Sequence, residues 1–159
     1  MATITIISVG TLKEKYLTDA ISEYKKRITQ YAKVEELSVK ESKIQNEDDS
    51  TEIERALNEE ADKIISAIPK DSFKIALCVE GKEYDSPALA RIIGDGVDAS
   101  GKITFIIGSS HGLSERVKKE CDLRLSFSKM TFPHQLMRVI LFEAVYRSFT
   151  IIHGKRYHK

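Results

Sequence analysis

The sequence predicts an α/β fold, a mostly parallel sheet with helices on both faces. Two observations support this prediction. Short β-branched or apolar segments alternate with segments of helical period along the chain, and strands separated by helices of this length are typical of parallel sheets covered on both sides. The length of 159 residues and the hydrophobic content of 42% indicate one ordinary domain over residues 1–159.

The first part of the chain predicts a strand, a helix and a second strand. Thr3–Val9 is rich in β-branched residues and ends at Gly10, which favours a strand followed by a turn. Apolar residues recur at steps of three and four from about Glu14 to Gln30, which predicts an amphipathic helix. Val34–Val39 is the second predicted strand.

The middle of the chain predicts a strand between two helices. After a polar loop, Thr51 and Glu54 have the spacing of a capping box for a helix that runs to about Ile68. Phe73–Val79 predicts a strand that stops at Glu80. Ser86 and Pro87 then supply an N-cap and a first-turn proline for a helix through Ile93, after which Gly94, Gly96 and Gly101 break the chain.

The last part predicts two strands, a short helix and a long closing helix. The strands are Lys102–Ile107 and Leu123–Phe127, with the short helix Ser114–Glu120 between them. The closing helix, residues 134–152, carries twelve hydrophobic residues in nineteen and has no wide polar face. One sheet covers only one side of such a helix, so we expect a homodimer to cover another. The alternative is a central helix wrapped within a monomer.

The net charge by itself excludes few classes of function, but the charged residues are unevenly distributed along the chain. The net charge is +1, with nine acidic and two basic residues from Glu41 to Asp62, and five basic and one acidic from Met130 to Lys159. The acidic run is typical of a solvated helix face, and the basic end is suited to a polyanion. The amino terminus has no signal-peptide pattern, so we expect a cytoplasmic protein without a membrane segment. Cys78 and Cys121 are expected to be reduced packing residues.

Several well-known site motifs are missing. The sequence has no GxxxxGK[ST], GxGxxG or GxSxG pattern, which removes support for P-loop, dinucleotide-binding and α/β-hydrolase chemistry. The four histidines form no HxxxH or HExxH pair and have no cysteine at ligand spacing, so no metal site is expected.

Two loops near the carboxyl end are candidates for a ligand pocket. Gly108 directly follows an apolar strand, and Gly112 lies four residues on, so backbone groups could approach a flat ligand. A plain strand-to-helix turn is the alternative. In the segment 126–132, serine and threonine alternate with phenylalanine and methionine, a mixture that suits a cofactor containing adenine.

The closing helix and the residues after it carry the polar candidates. His134 opens the helix, where the positive end of the dipole disfavours a protonated imidazole, although a packing role is equally consistent. Arg138 and Arg147 each need a carboxylate or a phosphate, and Glu143 with Arg147 has ion-pair spacing. His153–Lys159, the tail, mixes cations with Tyr157, as phosphate and base contacts require, or is a disordered basic end.

These segments together resemble the RlmH family of knotted methyltransferases. The resemblance spans the chain and is carried by Ile106-Ile-Gly108, Gly112-Leu, Leu125-Ser-Phe-Ser-Lys-Met-Thr131, Pro133-His134, Leu136, Arg138, Glu143, Tyr146-Arg147 and Tyr157-His158. It implies a homodimeric α/β domain with a carboxyl-terminal trefoil knot. The implied activity is methylation of N3 of a pseudouridine in 23S rRNA of the ribosome, with S-adenosylmethionine as cofactor. This chain departs from the family pattern at Ser109, where a second glycine is common.

The resemblance also implies roles for individual residues. The cofactor pocket would be lined by Leu77, Gly108, Phe127, Ser128, Lys129, Met130, Thr131 and Phe132. The partner subunit's tail would bring Tyr157 and His158 to the substrate. Methyl transfer to N3 needs a proton acceptor, for which His134, His158 or water is expected, with Arg138 or Arg147 offsetting developing charge. The alternatives are a methyltransferase acting on another RNA, such as tRNA, and an inactive RNA-binding dimer of the same fold.

Overall fold

The computed structural model describes residues 1–159, in which five strands alternate with five helices. Each predicted strand and helix is present, and the closing helix has the predicted bounds. In chain order the elements are β1 (Ala2–Val9), α1 (Lys15–Ile28), β2 (Ala32–Val39), α2 (Ser50–Ala67), β3 (Phe73–Glu83), α3 (Ser86–Ser100), β4 (Lys102–Ile107), α4 (Glu115–Glu120), β5 (Leu123–Ser126) and α5 (His134–Ile152).

The strands form one parallel sheet in the order β2-β1-β4-β3-β5. The prediction of a parallel sheet is confirmed. Ser8 of β1 pairs with Ile107 of β4, so Gly10 and Gly108 both emerge at the carboxyl edge of the sheet. Ligands of open α/β sheets bind at this edge.

The core has two parts because side chains along each strand alternate between the faces of the sheet. Ile4 and Ile6 of β1 belong to the cluster under α1, α3 and α5, whereas Ile7 and Val9 belong to the cluster under α2 and α4. Helices therefore cover both faces, as predicted. The carboxyl-terminal trefoil knot stays a prediction. No helix of the chain is both long and apolar enough to cross a membrane.

The closing helix α5 packs between α1 and α3 on one face of the sheet. Its side chains Leu141, Phe142 and Val145 are buried. Part of the cover that we expected from a partner subunit thus comes from helices of the same chain. Leu136 and Ile152 nevertheless remain 39% and 42% exposed. The homodimer stays a prediction.

Two predicted helix caps are wrong by one or two residues. Asp49, not Thr51, caps α2, because its carboxylate accepts hydrogen bonds from the backbone N–H groups of Thr51 (3.0 Å) and Glu52 (3.3 Å). Asp85, not Ser86, caps α3 by accepting from the N–H of Ala88 at 2.8 Å. At both positions a carboxylate also interacts favourably with the positive end of the helix dipole.

Helix α3 continues through two glycines that we expected to break it. A Cβ added at Gly94 would lie 3.7 Å from the Ile152 side chain, and one at Gly96 would lie 3.3 Å from Ile103. The glycines thus permit close packing of α3 against α5 and β4. The helix ends at Gly101, which has the left-handed conformation (φ 69°) typical of a helix terminus.

Strand β3 runs to Glu83, beyond its predicted end at Val79, because it contains a bulge. Leu77 and Lys82 both pair with Leu125 of β5, and residues 78–81 lie between them. A Cβ at Gly81 would come within 2.8 Å of the backbone of Arg124, so only glycine fits here. Strand β5 in turn ends at Ser126, before the predicted Phe127.

Candidate functional site

A cavity of about 730 Å³ lies at the carboxyl edge of the sheet. It is bounded by the bulge of β3, the loop after β4, the loop after β5 and the first turn of α5. Its lining residues are Leu77, Cys78, Val79, Glu80, Ile107, Gly108, Ser109, Ser110, His111, Gly112, Leu113, Lys118, Leu125, Ser126, Phe127, Ser128, Met130, Thr131, Phe132, Pro133, His134 and Met137. The volume and the mixture of apolar walls with polar groups are typical of small-molecule sites.

The loop after β4 closes on itself beside Gly108. The N–H of Gly112 donates to the carbonyl of Ser109 at 2.9 Å, and Gly112 has a positive φ of 85°. A Cβ at Gly108 would lie 2.3 Å from the Gly112 oxygen. Gly108 is therefore required by the neighbouring backbone of its own loop, rather than by a ligand alone. Ser109, which stands where the family pattern commonly has a glycine, fits this loop because its hydroxyl accepts a hydrogen bond from the N–H of His111 at 3.3 Å.

Serine side chains shape the loop after β5. The hydroxyl of Ser126 donates to the carbonyl of Ser128 at 3.1 Å, and the hydroxyl of Ser128 accepts from the N–H of Met130 at 3.0 Å. These bonds fold residues 126–130 into a tight turn beside the cavity. Met130 is 69% exposed although it lines the cavity, so an apolar side chain stands at the opening.

Charged groups at the cavity belong to pairs. Lys118 of α4 donates to Glu80 of the bulge, and this hydrogen bond lowers the pKa of the Glu80 carboxyl. His111 lies 3.8 Å from Glu47, measured between Nε2 and Oε1, and carries a charge there only when it is protonated. Cys78 is a free, half-buried thiol whose pKa is raised by burial. Such a thiol is a poor nucleophile at neutral pH.

Seven of the eight predicted cofactor residues line this cavity: Leu77, Gly108, Phe127, Ser128, Met130, Thr131 and Phe132. Lys129 does not line it and is exposed. The fold thus brings together residues from three separate segments of the chain. Their role in cofactor binding is a prediction.

Of the predicted catalytic residues, only His134 lines the cavity. Arg138, one turn further along α5, is buried (5% exposed) and donates through Nη2 to the carbonyls of Val9 (2.5 Å) and Gly10 (3.0 Å). Burial lowers the pKa of its guanidinium. The partners of Arg138 are thus backbone carbonyls, not the carboxylate or phosphate that we expected, and they fix the end of β1 against α5. A part for Arg138 in catalysis remains a prediction.

The other three predicted catalytic residues, Arg147, Tyr157 and His158, form a cluster that does not line this chain's own cavity. The guanidinium of Arg147 lies 4.7 Å from the centre of the Tyr157 ring and its Nη1 lies 3.2 Å from His158 Nδ1. Glu143 accepts from Arg147, as the spacing predicted. The tail thus lies against α5 and away from the cavity.

The cavity residues that sequence reasoning missed include Cys78, Glu80 and Lys118. The first two lie in the bulge of β3, and no sequence pattern predicted that the strand continues beyond it. Lys118 lies on the short helix α4 and reaches the cavity through its pair with Glu80.

No group of three or more histidine, cysteine, aspartate or glutamate side chains in the chain is arranged to hold a metal ion.

The chain is similar in sequence to known proteins over almost its whole length. A family model described as "Predicted SPOUT methyltransferase" matches residues 2–158. A protein of Caldicellulosiruptor bescii named "Ribosomal RNA large subunit methyltransferase H" is 49% identical over 156 residues, covering 98% of this chain and 99% of that protein. A protein of Shouchella clausii with the same name is 47% identical over 157 residues, with the same coverage. The matches include both loops that border the cavity.

Proposed function

Because this chain belongs to the SPOUT methyltransferase family, we propose that it transfers a methyl group from S-adenosylmethionine to N3 of a pseudouridine in 23S rRNA. The observation that carries the proposal is the cavity at the carboxyl edge of the sheet, bounded by the Gly108 loop and by residues 127–132. The full-length relatives are named as methyltransferases of large-subunit ribosomal RNA, and the resemblance supplies the pseudouridine and its N3 position.

The cavity fits the cofactor in size and chemistry. Its volume of about 730 Å³ is large enough for a nucleoside with an amino-acid side arm. Leu77, Leu125 and Phe127 offer apolar contacts for a flat base, and the two loops offer backbone N–H and C=O groups. S-adenosylmethionine would supply an electrophilic methyl group. The chain would hold the adenosyl part with Leu77, Gly108 and the loop 127–132.

The protein's own contribution to the reaction is alignment and removal of a proton. Transfer of a methyl group requires the nucleophile and leaving group to be in line, which a rigid pocket supplies without a covalent protein intermediate. The raised pKa of Cys78 agrees with this, since the nearest thiol is not a prepared nucleophile. His134, at the cavity and on the first turn of α5, is the candidate to accept the proton from N3.

A second subunit would complete the site. This chain's tail lies against the far part of α5, where Tyr157 and His158 do not line its own cavity. In the homodimer that we propose, the partner's tail meets the RNA at the cavity. The exposed Leu136 and Ile152 on α5 are candidates for the contact between subunits. Action on ribosomal RNA also implies a cytoplasmic location.

Two experiments test the proposal. Calorimetry should detect binding of S-adenosylmethionine and S-adenosylhomocysteine, and absence of heat with both would favour an inactive RNA-binding dimer. Mass mapping of RNA from a deletion strain should show loss of one methyl group on a pseudouridine of 23S rRNA. A lost methyl group in tRNA instead would refute the proposed substrate.

Single-turnover kinetics test the part of His134. At saturating cofactor the His134→Ala variant should react about 100-fold more slowly than the wild type if its imidazole accepts the proton. The control variant Glu59→Ala changes a half-exposed side chain on α2, outside the cavity, and it should react at the wild-type rate. A full rate for His134→Ala would refute the assignment.

A further inference from the structure

The end of the tail folds back onto α5 through Tyr157. The Tyr157 ring lies edge-on to the Tyr146 ring, with centroids 4.8 Å apart and planes at 64°. The Arg147 guanidinium lies 4.7 Å from the Tyr157 centroid on a cation–π contact. The Tyr157 hydroxyl donates to Oε1 of Glu143 at 3.1 Å. These contacts leave Tyr157 half-buried at the end of an otherwise exposed segment.

One carboxylate oxygen joins these groups. Oε1 of Glu143 accepts from Nε (2.9 Å) and Nη2 (2.6 Å) of Arg147 as well as from Tyr157. The side chains of Glu143 and Arg147 are 25% and 28% exposed, whereas those of the comparable pair Arg55–Glu59 on α2 are 52% and 50% exposed. Hydrogen bonds to a charged group that is mostly withdrawn from water are stronger than those of exposed ion pairs.

The backbone does little to hold the tail. The last backbone hydrogen bond of the chain runs from the N–H of Lys155 to the carbonyl of Thr150 at 2.8 Å. Beyond it, Arg156 and Lys159 are exposed. The position of Tyr157 and His158 therefore depends on side-chain contacts, in which Glu143 takes part directly through Tyr157 and indirectly through Arg147.

We propose that Glu143 is a positioning residue, which holds the tail on α5 so that Tyr157 and His158 are presented in one fixed arrangement. The inference rests on the proposed function, in which the tail meets the RNA. It adds that the substrate-facing end of each subunit is ordered before RNA binds, so RNA binding does not have to order it. Loss of the carboxylate should then impair the reaction with RNA and spare the cofactor pocket.

The ionisation of Tyr157 reports on this contact. Its pKa is raised to about 12, first by burial and then by the negative charge of Glu143 and the hydrogen bond to it. The other titratable or charged groups that face it are Tyr24, Arg27, Tyr146, Arg147 and His158. Removing the Glu143 carboxylate should bring the pKa of Tyr157 closer to the ordinary value of about 10.

The test compares four variants of the full chain: Glu143→Ala, Glu143→Gln, Tyr157→Phe and, as matched control, Glu59→Ala. NMR with labelled tyrosine follows each phenol, and Tyr157→Phe identifies the Tyr157 signal. Backbone heteronuclear NOEs of residues 155–159 measure motion of the tail. Glu143→Ala should lower these NOEs and the Tyr157 pKa, while Glu59→Ala leaves both unchanged. In Glu143→Gln the amide oxygen still accepts from Tyr157, so the tail stays more ordered than in Glu143→Ala.

Kinetics complete the test. For Glu143→Ala, kcat/KM on ribosomal RNA should fall at least about tenfold with the Kd for S-adenosylmethionine unchanged, because misplacement of reacting groups is costly. An ordered tail in Glu143→Ala would overturn the inference, as would a mobile tail with unchanged kcat/KM. An inactive wild type would refute the proposed function, whereas the NMR measurements test the role of Glu143 independently of activity.

Discussion

At the scale of single residues, the site depends on side chains whose size or hydrogen bonds fix the path of the backbone. Gly108 and Arg138 are the clearest examples. The first admits the carbonyl of Gly112 where any other residue would place a Cβ. The second supplies hydrogen bonds to two carbonyls that β1 leaves without partners at its end. Both residues could be singled out in the sequence, but their partners could not, because these contacts depend on the path of the backbone.

Substitution of Gly108 by alanine should disrupt the cavity. The new Cβ would lie 2.3 Å from the Gly112 oxygen, so the loop must move. We expect the Kd for S-adenosylmethionine, measured by calorimetry, to rise at least about tenfold, which corresponds to about 1.4 kcal/mol. The matched variant Gly94→Ala meets only an ordinary contact at 3.7 Å within α3 and should keep the wild-type Kd. Equal affinity of the two variants would contradict the role given to Gly108.

Substitution of Arg138 by methionine should lower stability. Methionine keeps the apolar volume but leaves the carbonyls of Val9 and Gly10 without their donor, which we expect to cost roughly 2–3 kcal/mol. Urea unfolding measures this change in the free energy of unfolding. Arg55→Met, which removes a half-exposed arginine from α2, should have a much smaller effect. Similar losses for both variants would mean that the buried hydrogen bonds of Arg138 contribute little.

At the scale of elements, the alternation of strands and helices was predictable, but their ends were less so. The apolar patterns alone were sufficient to predict β1, β4 and α5, because these elements lie within the core. The caps of α2 and α3 were misassigned since Asp49 and Asp85 stand next to residues that are equally good caps by type. The continuation of α3 through Gly94 and Gly96 depends on Ile152 and Ile103, which are distant in sequence. Such contacts override local propensity.

The junction between α2 and the loop before it depends on a buried carboxyl, Glu60. It is 2% exposed and its Oε2 accepts from the N–H of Ser42 at 2.9 Å, while Oε1 has no partner. Burial raises the pKa of Glu60. In the window above its ordinary pKa the folded state therefore binds more protons than the unfolded state. The free energy of unfolding should fall as pH rises through this window.

The variant Glu60→Gln tests this linkage, because it keeps an oxygen for Ser42 and cannot ionise. Relative to the wild type, its free energy of unfolding should improve as pH is raised from about 5 to about 8. Urea titrations at several pH values measure the difference. Glu59→Gln is the control, since a hydrogen bond from Arg55 lowers the pKa of Glu59 and places its pH dependence below the ordinary carboxyl pKa, so its difference from the wild type should stay constant over this range. A difference between Glu60→Gln and wild type that does not vary with pH would contradict the prediction.

At the scale of the whole molecule, the site joins segments that the sequence displays separately. Gly108 and the loop 127–132 could be proposed from composition and resemblance. The bulge of β3, with Cys78 and Glu80, could not, because a bulge is defined by its pairing with a neighbouring strand. The tail is a third case. Its composition suggested RNA contacts, but its attachment to Glu143 depends on how the tail folds back onto α5, which no sequence pattern shows.

The tail's charge should be visible in the salt dependence of RNA binding. Removal of residues 155–159 deletes Lys155, Arg156 and Lys159. If these cations neutralise phosphates, the slope of log K against log salt should become shallower by roughly 0.7 to 0.9 per lost contact. Binding assays at several salt concentrations measure the slope. Lys63→Gln, a change on the acidic helix α2, should leave it as in the wild type. An unchanged slope after truncation would mean that the tail does not touch the RNA backbone.

The bulge in β3 has one more effect, on how the cavity accommodates an occupant. Pairing with β5 stops at Leu77 and resumes at Lys82 on the same partner, Leu125, so residues 78–81 form a short arch anchored at both feet. Small backbone rotations within residues 78–81 would leave the pairs between β3 and β5 on either side formed. We expect this wall of the cavity to adjust without loss of strand pairing, so that the proposed cofactor would fit both before and after it has transferred its methyl group.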